Sequence, residues 1–414
     1  MDNLSLSFLR DKFANYYRSN RIDLPYRFGK REFAFMPFGA KLMRRHISFK
    51  RKDDFARFVS RTVPAHIYYS SAFYQHPDAP TMEEKGWMGA ELIFDLDLDH
   101  LEKRRVSSYE EGLQIVKEEF KRLVEDFLIR DFGFNESNLK LYFSGGRGFH
   151  CHVVDSRVFQ LDSSERREIV DYITGNDIEE NIVFMEMGGD TLHIIEEDLK
   201  RRGIDKIKSV EGGVRSERTR VRAYLKIPKD TEPGWKGRIG KAIINIVQNI
   251  SDDNFKRYLT DMGISEKDIK RLERELTPKR VKGITEYGII EQSRFIRKFF
   301  LDAATKRAAI SSMTGETDEP VTCDIKRLIR LPGSLHGKTG LKVCEIGLDS
   351  LDDFDPLYDA VVFSDEKIGV DVLSPMRISM KGEVFDLTRG SCKVPEYLAV
   401  FLVGRGIAKI INRQ

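Results

Sequence analysis

Residues 90–99 read AELIFDLDLD, and this alternation limits what the chain can fold into more than any other segment. Leu92, Phe94, Leu96 and Leu98 fall on one face of an extended strand, and Ile93, Asp95, Asp97 and Asp99 on the other. Residues two apart on a strand sit roughly 6.5–7 Å apart, so Asp95 and Asp97 present their carboxylates side by side. The leucine face seats the strand in a core. Two carboxylates held this close repel each other and resist burial unless a cation joins them. Hard divalent ions, which prefer oxygen ligands, suit such a pair. The bland alternative is a solvated edge strand that happens to be acidic. Asp99, beside His100, reads as the strand terminator.

Composition excludes several classes. The chain has 414 residues, 41% of them hydrophobic and 33% charged, the balance of a globular protein rather than a disordered one. Lys plus Arg total 69 against 66 for Asp plus Glu, so any affinity for nucleic acid must come from local clustering of charge. The longest apolar runs, such as 397–404, fall far short of a membrane span. Asp2, Arg10 and Asp11 interrupt any secretory signal. Cys151, Cys323, Cys344 and Cys392 are widely separated, with no CxxC pair, which points to a reducing, cytoplasmic setting without a zinc ribbon.

The pattern along the chain predicts an α/β (α+β) protein, an α/β core interrupted by a mainly helical insert: 1–160 as the first part of the core, 161–310 as the insert, 311–414 as the second part of the core. A helix is expected over 8–17, with short strand-like pieces at 32–35 and 65–69. Ser108 and Glu111 have capping-box spacing ahead of Leu113, Val116, Phe120, Leu123 and Phe127, which predicts a helix ending near Gly133. Strands are expected at 139–143 and 151–154. Helical spacing recurs at 165–173, 239–250, 266–276 and 291–304. Strand-like segments return at 341–346, 360–363, 370–373, 377–380 and 383–387, before a helix over 395–403. An acidic block at 179–198 precedes a basic stretch (Lys200, Arg201, Arg202, Lys206, Lys208, Arg215, Arg218, Arg220, Arg222) that either tracks template phosphates or is a solvated face.

Two further segments carry chemistry. Ser144-Gly145-Gly146-Arg147-Gly148-Phe149-His150 joins two apolar strands. Its glycines let backbone N–H groups approach an anion, and Arg147 and His150 add donors suited to phosphate. The second is DEPVTCDIKRLIRLPGSLHGKTG, residues 318–340. Ile325, Leu328 and Ile329 have helical spacing, so a basic helix carrying Lys326, Arg327 and Arg330 is expected, stopped by Pro332. Ser334, His336, Lys338 and Thr339 follow in a Gly-bounded turn, another set of phosphate-compatible donors. Asp318 or Asp324 is the candidate third carboxylate of a two-cation site, and spacing alone does not choose between them. Three acids plus two Arg/His loops fit metal-dependent transfer from a nucleoside triphosphate, with the α-phosphate held in line for an attacking 3′-hydroxyl. No Walker A loop is present, so P-loop chemistry is excluded.

These motifs, in order over about 310 residues, resemble those of the small, catalytic subunit of archaeal and eukaryotic DNA primases: Arg31-Glu32-Phe33-Ala34-Phe35 with Arg45 nearby, FDLDLD, SGGRGFH and RLIRLPGSLHGKTG. The resemblance implies an α/β catalytic core with mixed β-sheets flanked by helices, plus a helical subdomain. It implies synthesis of short primers on single-stranded DNA template from NTP or dNTP, using two divalent ions, Mg²⁺ or Mn²⁺. Asp95, Asp97 and Asp318 match the metal-binding acids, Asp318 through its D-x-x-V-T context. Ser144, Arg147, His150, Arg330 and His336 match nucleotide-phosphate contacts. Glu32 and Arg45 correspond to residues near the nucleotide or primer end, and Lys338 belongs with these contacts. A heterodimer with a large regulatory subunit is implied, in the archaeal cytoplasm or a eukaryotic nucleus, with no membrane association. The eukaryotic motifs carry a second arginine where this chain has Gly146 and a lysine where it has Arg330. Residues 98–130 contain no Cys, so the zinc knuckle of many relatives is not expected. Competing readings are a repair primase-polymerase, a metal-dependent nuclease, which needs clustered acids but no triphosphate loops, and a non-catalytic nucleic-acid-binding subunit.

Overall fold

The computed structural model describes residues 1–98, 106, 108–176, 178–186, 224–291, 293–310 and 321–411. Asp318, Asp99 and the basic stretch 200–222 lie outside the described residues. The protein is α+β and divides into two compact units, Met1–Val170 with Ser312–Gln414, and Asp171–Ser311. Every strand pairing among the described residues is antiparallel. No helix among them is long and apolar enough to cross a membrane.

The first unit is built on two four-stranded sheets. One contains β1 (Phe33–Met36), β2 (Arg44–Ile47) and β3 (His66–Ser70), with Leu328–Arg330 on its far edge beside β3 and β1 between β3 and β2. A small ribbon of β4 (Ala72–Tyr74) and β5 (Trp87–Ala90) follows. The other large sheet contains β6 (Leu92–Asp97), β7 (Leu139–Phe143) and β8 (Gly148–Val153), in the order Cys344–Ile346, β7, β8, β6.

The alternation of β6 assigns its two faces. Leu92, Phe94 and Leu96 are fully buried. Phe149, opposite Leu96 on β8, stacks on Phe120 of the Tyr109–Arg122 helix with ring centroids 5.4 Å apart, so this helix covers the leucine face. Ser108 caps the helix by accepting from the Glu111 N–H at 3.1 Å, as the capping-box spacing predicts. On the other face, Ile93 packs among Ile67, Tyr69 and Ile329 of the first sheet. Asp95 and Asp97 continue along that same face. The face of β6 that meets the first sheet through Ile93 thus carries both carboxylates further along, a candidate cleft between the sheets with these apolar side chains as its floor.

Ionised side chains are buried beneath this floor. Arg31, fully buried, donates to the Ser70 carbonyl at 2.6 Å, to the Ser71 carbonyl at 3.1 Å and to the Glu91 carboxylate. His152 Nδ1 lies 3.5 Å from Glu91 and 3.1 Å from the Tyr69 hydroxyl. Against the penalty of burial, Arg31 and then His152 hold the Glu91 carboxyl below its ordinary range. This network ties β3 to β6 and β8.

The C-terminal part adds a three-stranded sheet (Gly390–Pro395, Lys367–Val372, Ala408–Ile410) and the almost wholly buried helix Glu396–Gly404. It also adds the hairpin Met376–Met380/Glu383–Leu387, whose two-residue turn, Lys381-Gly382, has φ of 51° and 76°. The second unit packs Gly234–Asn249 and Arg294–Ala308 around Ile239, Ile243, Ile246 and Phe300, with the shorter helices Glu180–Val183, Asp253–Asp261, Glu266–Glu275 and Pro278–Tyr287 and a three-stranded ribbon among the described residues.

Two local expectations are corrected. The basic helix expected around 325–330 is instead the edge strand Leu328–Arg330, paired with β3 so that Arg330 lies opposite Tyr68. Asp324 accepts from the Lys326 N–H at 2.8 Å and closes a turn, and pairing with an open sheet edge then overrides the helical spacing. Residues 360–363 form no strand. Val361 closes a turn onto the Tyr358 carbonyl, and the Ala360 carbonyl accepts from Lys342.

Candidate active site

Pairing of β6 with β8 sets Asp95 opposite His150 and Asp97 opposite Gly148. Opposed residues on antiparallel strands project to one side, so His150 shares the cleft face with the acids. Its Nε2 lies 3.8 Å from Asp95 Oδ1. The ring is 1% exposed, and neither nitrogen has a hydrogen-bond partner among the described residues. Burial, together with the neighbouring His152 and then Arg330, outweighs the pull of Asp95 and lowers His150 to about 4. The imidazole beside Asp95 is therefore neutral at pH 7. Gly148 permits the strands' close approach, since a Cβ there would lie 2.3 Å from the Leu96 carbonyl and 3.1 Å from Asp97 Oδ2.

The glycine-rich loop is narrower in its use of donors than the sequence suggests. The buried Ser144 hydroxyl accepts from the N–H groups of Gly146 and Gly148, each at 3.2 Å. Ser144 therefore shapes the loop from within, and those two N–H groups are engaged by it. Tyr109, the first residue of its helix, donates to the Gly146 carbonyl at 2.5 Å and holds the loop from the other side. Gly145 has φ of 75°, and a Cβ there would meet His336 at 2.8 Å. The two donor loops predicted from sequence thus pack directly against each other.

Two imidazoles meet at this junction, and the third of the site, His150, lies on the strand that leaves the glycine loop. The rings of His66 and His336 meet edge to face, with centroids 4.9 Å apart. Arg330 lies over the Tyr68 ring at 5.6 Å, and its charge depresses the basicity of His66, His150 and His336. Lys338, exposed at the tip of the turn, acts on His66 and His336 in the same sense. Burial is the largest cause for all three and holds His66 at about 3. The unfolded chain gains protons at these sites below about pH 6.5 while the folded one does not. Their contribution is complete above pH 6.5 and is lost as pH falls toward 4. We expect the metal-free protein to lose on the order of 1.4 kcal/mol per pH unit for each such ring in that window. Urea unfolding at pH 7.5 and pH 5.0 checks this, and His66→Gln should show the shallower loss.

Glu32 and Arg45 form a separate cluster. Glu32, fully buried, accepts from Arg45 Nε at 3.0 Å and from the His46 N–H at 3.1 Å, and lies 3.1 Å from the buried Lys85 ammonium. Despite burial, these partners keep its carboxyl below the ordinary range. Glu32 thus positions the half-exposed Arg45 and has no exposed surface of its own. Asp324 accepts within its turn, and Asp318 lies outside the described residues.

Sequence reasoning missed Tyr109, His66 and Lys85, which hold the site through contacts that no local pattern encodes; it grouped Thr339 with the phosphate donors, whereas its hydroxyl is engaged with the Gly145 carbonyl and His336 Nδ1.

Among the described residues no cluster of three or more His, Cys, Asp or Glu is arranged to hold a metal. Asp95 and Asp97 are nevertheless a hard-oxygen pair on one face of a rigid strand, both partly exposed, beside an imidazole that carries no charge. That donor set fits a divalent cation needing one further carboxylate.

Residues 94–346 match the family described as DNA primase small subunit. The chain is 39% identical to the DNA primase small subunit PriS of Methanothrix thermoacetophila, covering 99% of this chain and 100% of that one. It is 38% identical to that of Methanocella arvoryzae over 99% of each, and 39% identical to that of Picrophilus torridus over 97% of each. With Asp95, Asp97 and both donor loops inside the matched span, and full-length relatives at 38–39% identity, the chain belongs to the DNA primase small subunit family.

Proposed function

We propose that this chain, a DNA primase by family, builds primers on single-stranded DNA by two-metal nucleotidyl transfer in the cleft between its two large sheets. The 3′-hydroxyl oxygen bonds to the α-phosphorus, the α–β bridging bond breaks, and pyrophosphate leaves. Asp95, Asp97 and Asp318 would hold two Mg²⁺ or Mn²⁺ ions. Such ions neutralise the triphosphate and ease loss of the 3′-hydroxyl proton. Arg330, Arg147 and His336 would grip the phosphate tail and set the α-phosphorus in line. Arg45, held by Glu32, would orient the nucleotide or primer end. Tyr109 and Ser144 keep the glycine loop in shape. The reading is carried by one observation: Asp95 and Asp97 share their face with His150, on the strand that leaves the glycine loop packed against His336.

The relatives' name describes one part of an assembly, and we propose a large regulatory subunit as this chain's partner. The test is primer synthesis on single-stranded template with labelled NTP or dNTP and Mg²⁺ or Mn²⁺. Asp318→Ala should lower synthesis by at least ~100-fold, the scale of losing one metal ligand's transition-state stabilisation of several kcal/mol. Asp324→Ala, which removes only a turn contact, should lower it by about tenfold or less. The reverse order would transfer the third-ligand role to Asp324.

A further inference from the structure

The hydrogen bonds around His336 determine which of its nitrogens carries hydrogen. Thr339 Oγ1 lies 2.5 Å from the Gly145 carbonyl oxygen, which can only accept. The single hydroxyl proton therefore points to Gly145. The same oxygen accepts from the Leu341 N–H at 3.2 Å and lies 3.0 Å from His336 Nδ1. With its one proton given to Gly145, Thr339 is left only lone pairs for His336, so Nδ1 must be the N–H. In a neutral ring Nε2 is then a bare acceptor. Nε2 makes no hydrogen bond among the described residues and faces Gly146, where a Cβ would stand 3.3 Å away. An acceptor aimed at the loop that should receive phosphate is the wrong polarity for an anion.

We infer that Thr339 fixes His336 in this tautomer, so that a triphosphate docking at the junction of the two loops brings one proton from solvent onto His336 Nε2. The proton forms an N–H bond at Nε2, converts the ring to an imidazolium and gives the phosphate a charged donor. The groups facing His336 leave no other imidazole beside it to take that proton. His66, packed edge to face against it, uses its Nδ1 lone pair to accept from the Gly337 N–H at 3.3 Å. Arg330, Lys338 and Arg405 are cations that, together with burial, keep His336 neutral until an anion arrives. Thr339 is thus a positioning residue, and nucleotide affinity is linked to pH through a ring it holds.

This rests on the phosphate-gripping role proposed above, and the experiment separates the two. An unreactive nucleoside triphosphate analogue with Mg²⁺ is titrated calorimetrically into the full chain, in two buffers of different ionisation enthalpy. The wild type should take up close to one proton per nucleotide at pH 7.5, with Kd weakening up to about tenfold per pH unit above that. His336→Asn should abolish the uptake. Thr339→Val frees the ring to donate from Nε2 while neutral, so uptake and pH dependence should fall together. Thr339→Ser, which keeps the hydroxyl, should restore both. Tight binding by the wild type with no proton taken up overturns the inference, as does unchanged uptake in folded Thr339→Val. Absence of any nucleotide binding by the wild type would instead strike at the phosphate-gripping role itself.

Discussion

Asp95→Ala and Asp97→Ala are each expected to lower primer synthesis by roughly a thousandfold or more while leaving the protein folded. The size follows from the several kcal/mol that a bound divalent ion contributes to charge stabilisation in phosphoryl transfer, at one decade of rate per 1.36 kcal/mol. Folding should be spared for a structural reason. The β6 strand is anchored by Leu92, Phe94 and Leu96 on one face and by Ile93 on the other, none of which is touched. Removing one carboxylate of a like-charged pair also relieves repulsion in the metal-free state. Circular dichroism and the unfolding midpoint, measured alongside labelled-primer gels, separate the two effects. Near-normal synthesis by a folded Asp97→Ala protein would exclude that carboxylate from the chemistry.

Glu91→Ala should act in the opposite way, on stability rather than on chemistry. It strips the partner from Arg31, whose guanidinium has no exposure, and also leaves His152 without its carboxylate. Breaking a buried ion pair from one side destabilises by about 3–5 kcal/mol, because the remaining charge is left in a medium that cannot solvate it. Glu91→Gln keeps an acceptor for Arg31 and should lose less. Replacing both members, as Arg31→Met with Glu91→Leu, should lose less than the sum of the single changes. Urea midpoints measure these variants together with the single Arg31→Met and Glu91→Leu changes. An additive double variant would mean that Arg31 is held mainly by the Tyr26, Ser70 and Ser71 carbonyls rather than by Glu91.

These two experiments bracket what was legible in the sequence. The alternation of residues 92–97 gave the strand, its core face and the pairing of Asp95 with Asp97, because a period of two is a local property written into consecutive residues. The capping box at Ser108 was legible for the same reason, as was the strand at 139–143. The edge strand at Arg330 was not. Its residues fit a helix locally, and only the open edge of β3, more than 250 positions earlier in the chain, makes extended backbone the better choice. Arg31 and Glu32 stood in a recognisable motif, yet their burial and their partners Glu91, Lys85 and Arg45 depend on the packing of the two sheets. Ser144 was legible as a loop residue, but its engagement with Gly146 and Gly148 was hidden, since a serine in a glycine-rich turn can serve ligand or backbone equally well.

The central claim is that Asp95, Asp97 and Asp318 together hold divalent ions against an incoming nucleotide. Counting bound Mn²⁺ by electron paramagnetic resonance, with an unreactive triphosphate analogue present, addresses it without relying on turnover. Wild-type protein should bind two Mn²⁺ per chain, and Asp95→Asn, Asp97→Asn and Asp318→Asn should each lose at least one. Two tightly bound Mn²⁺ remaining in all three variants would contradict the account.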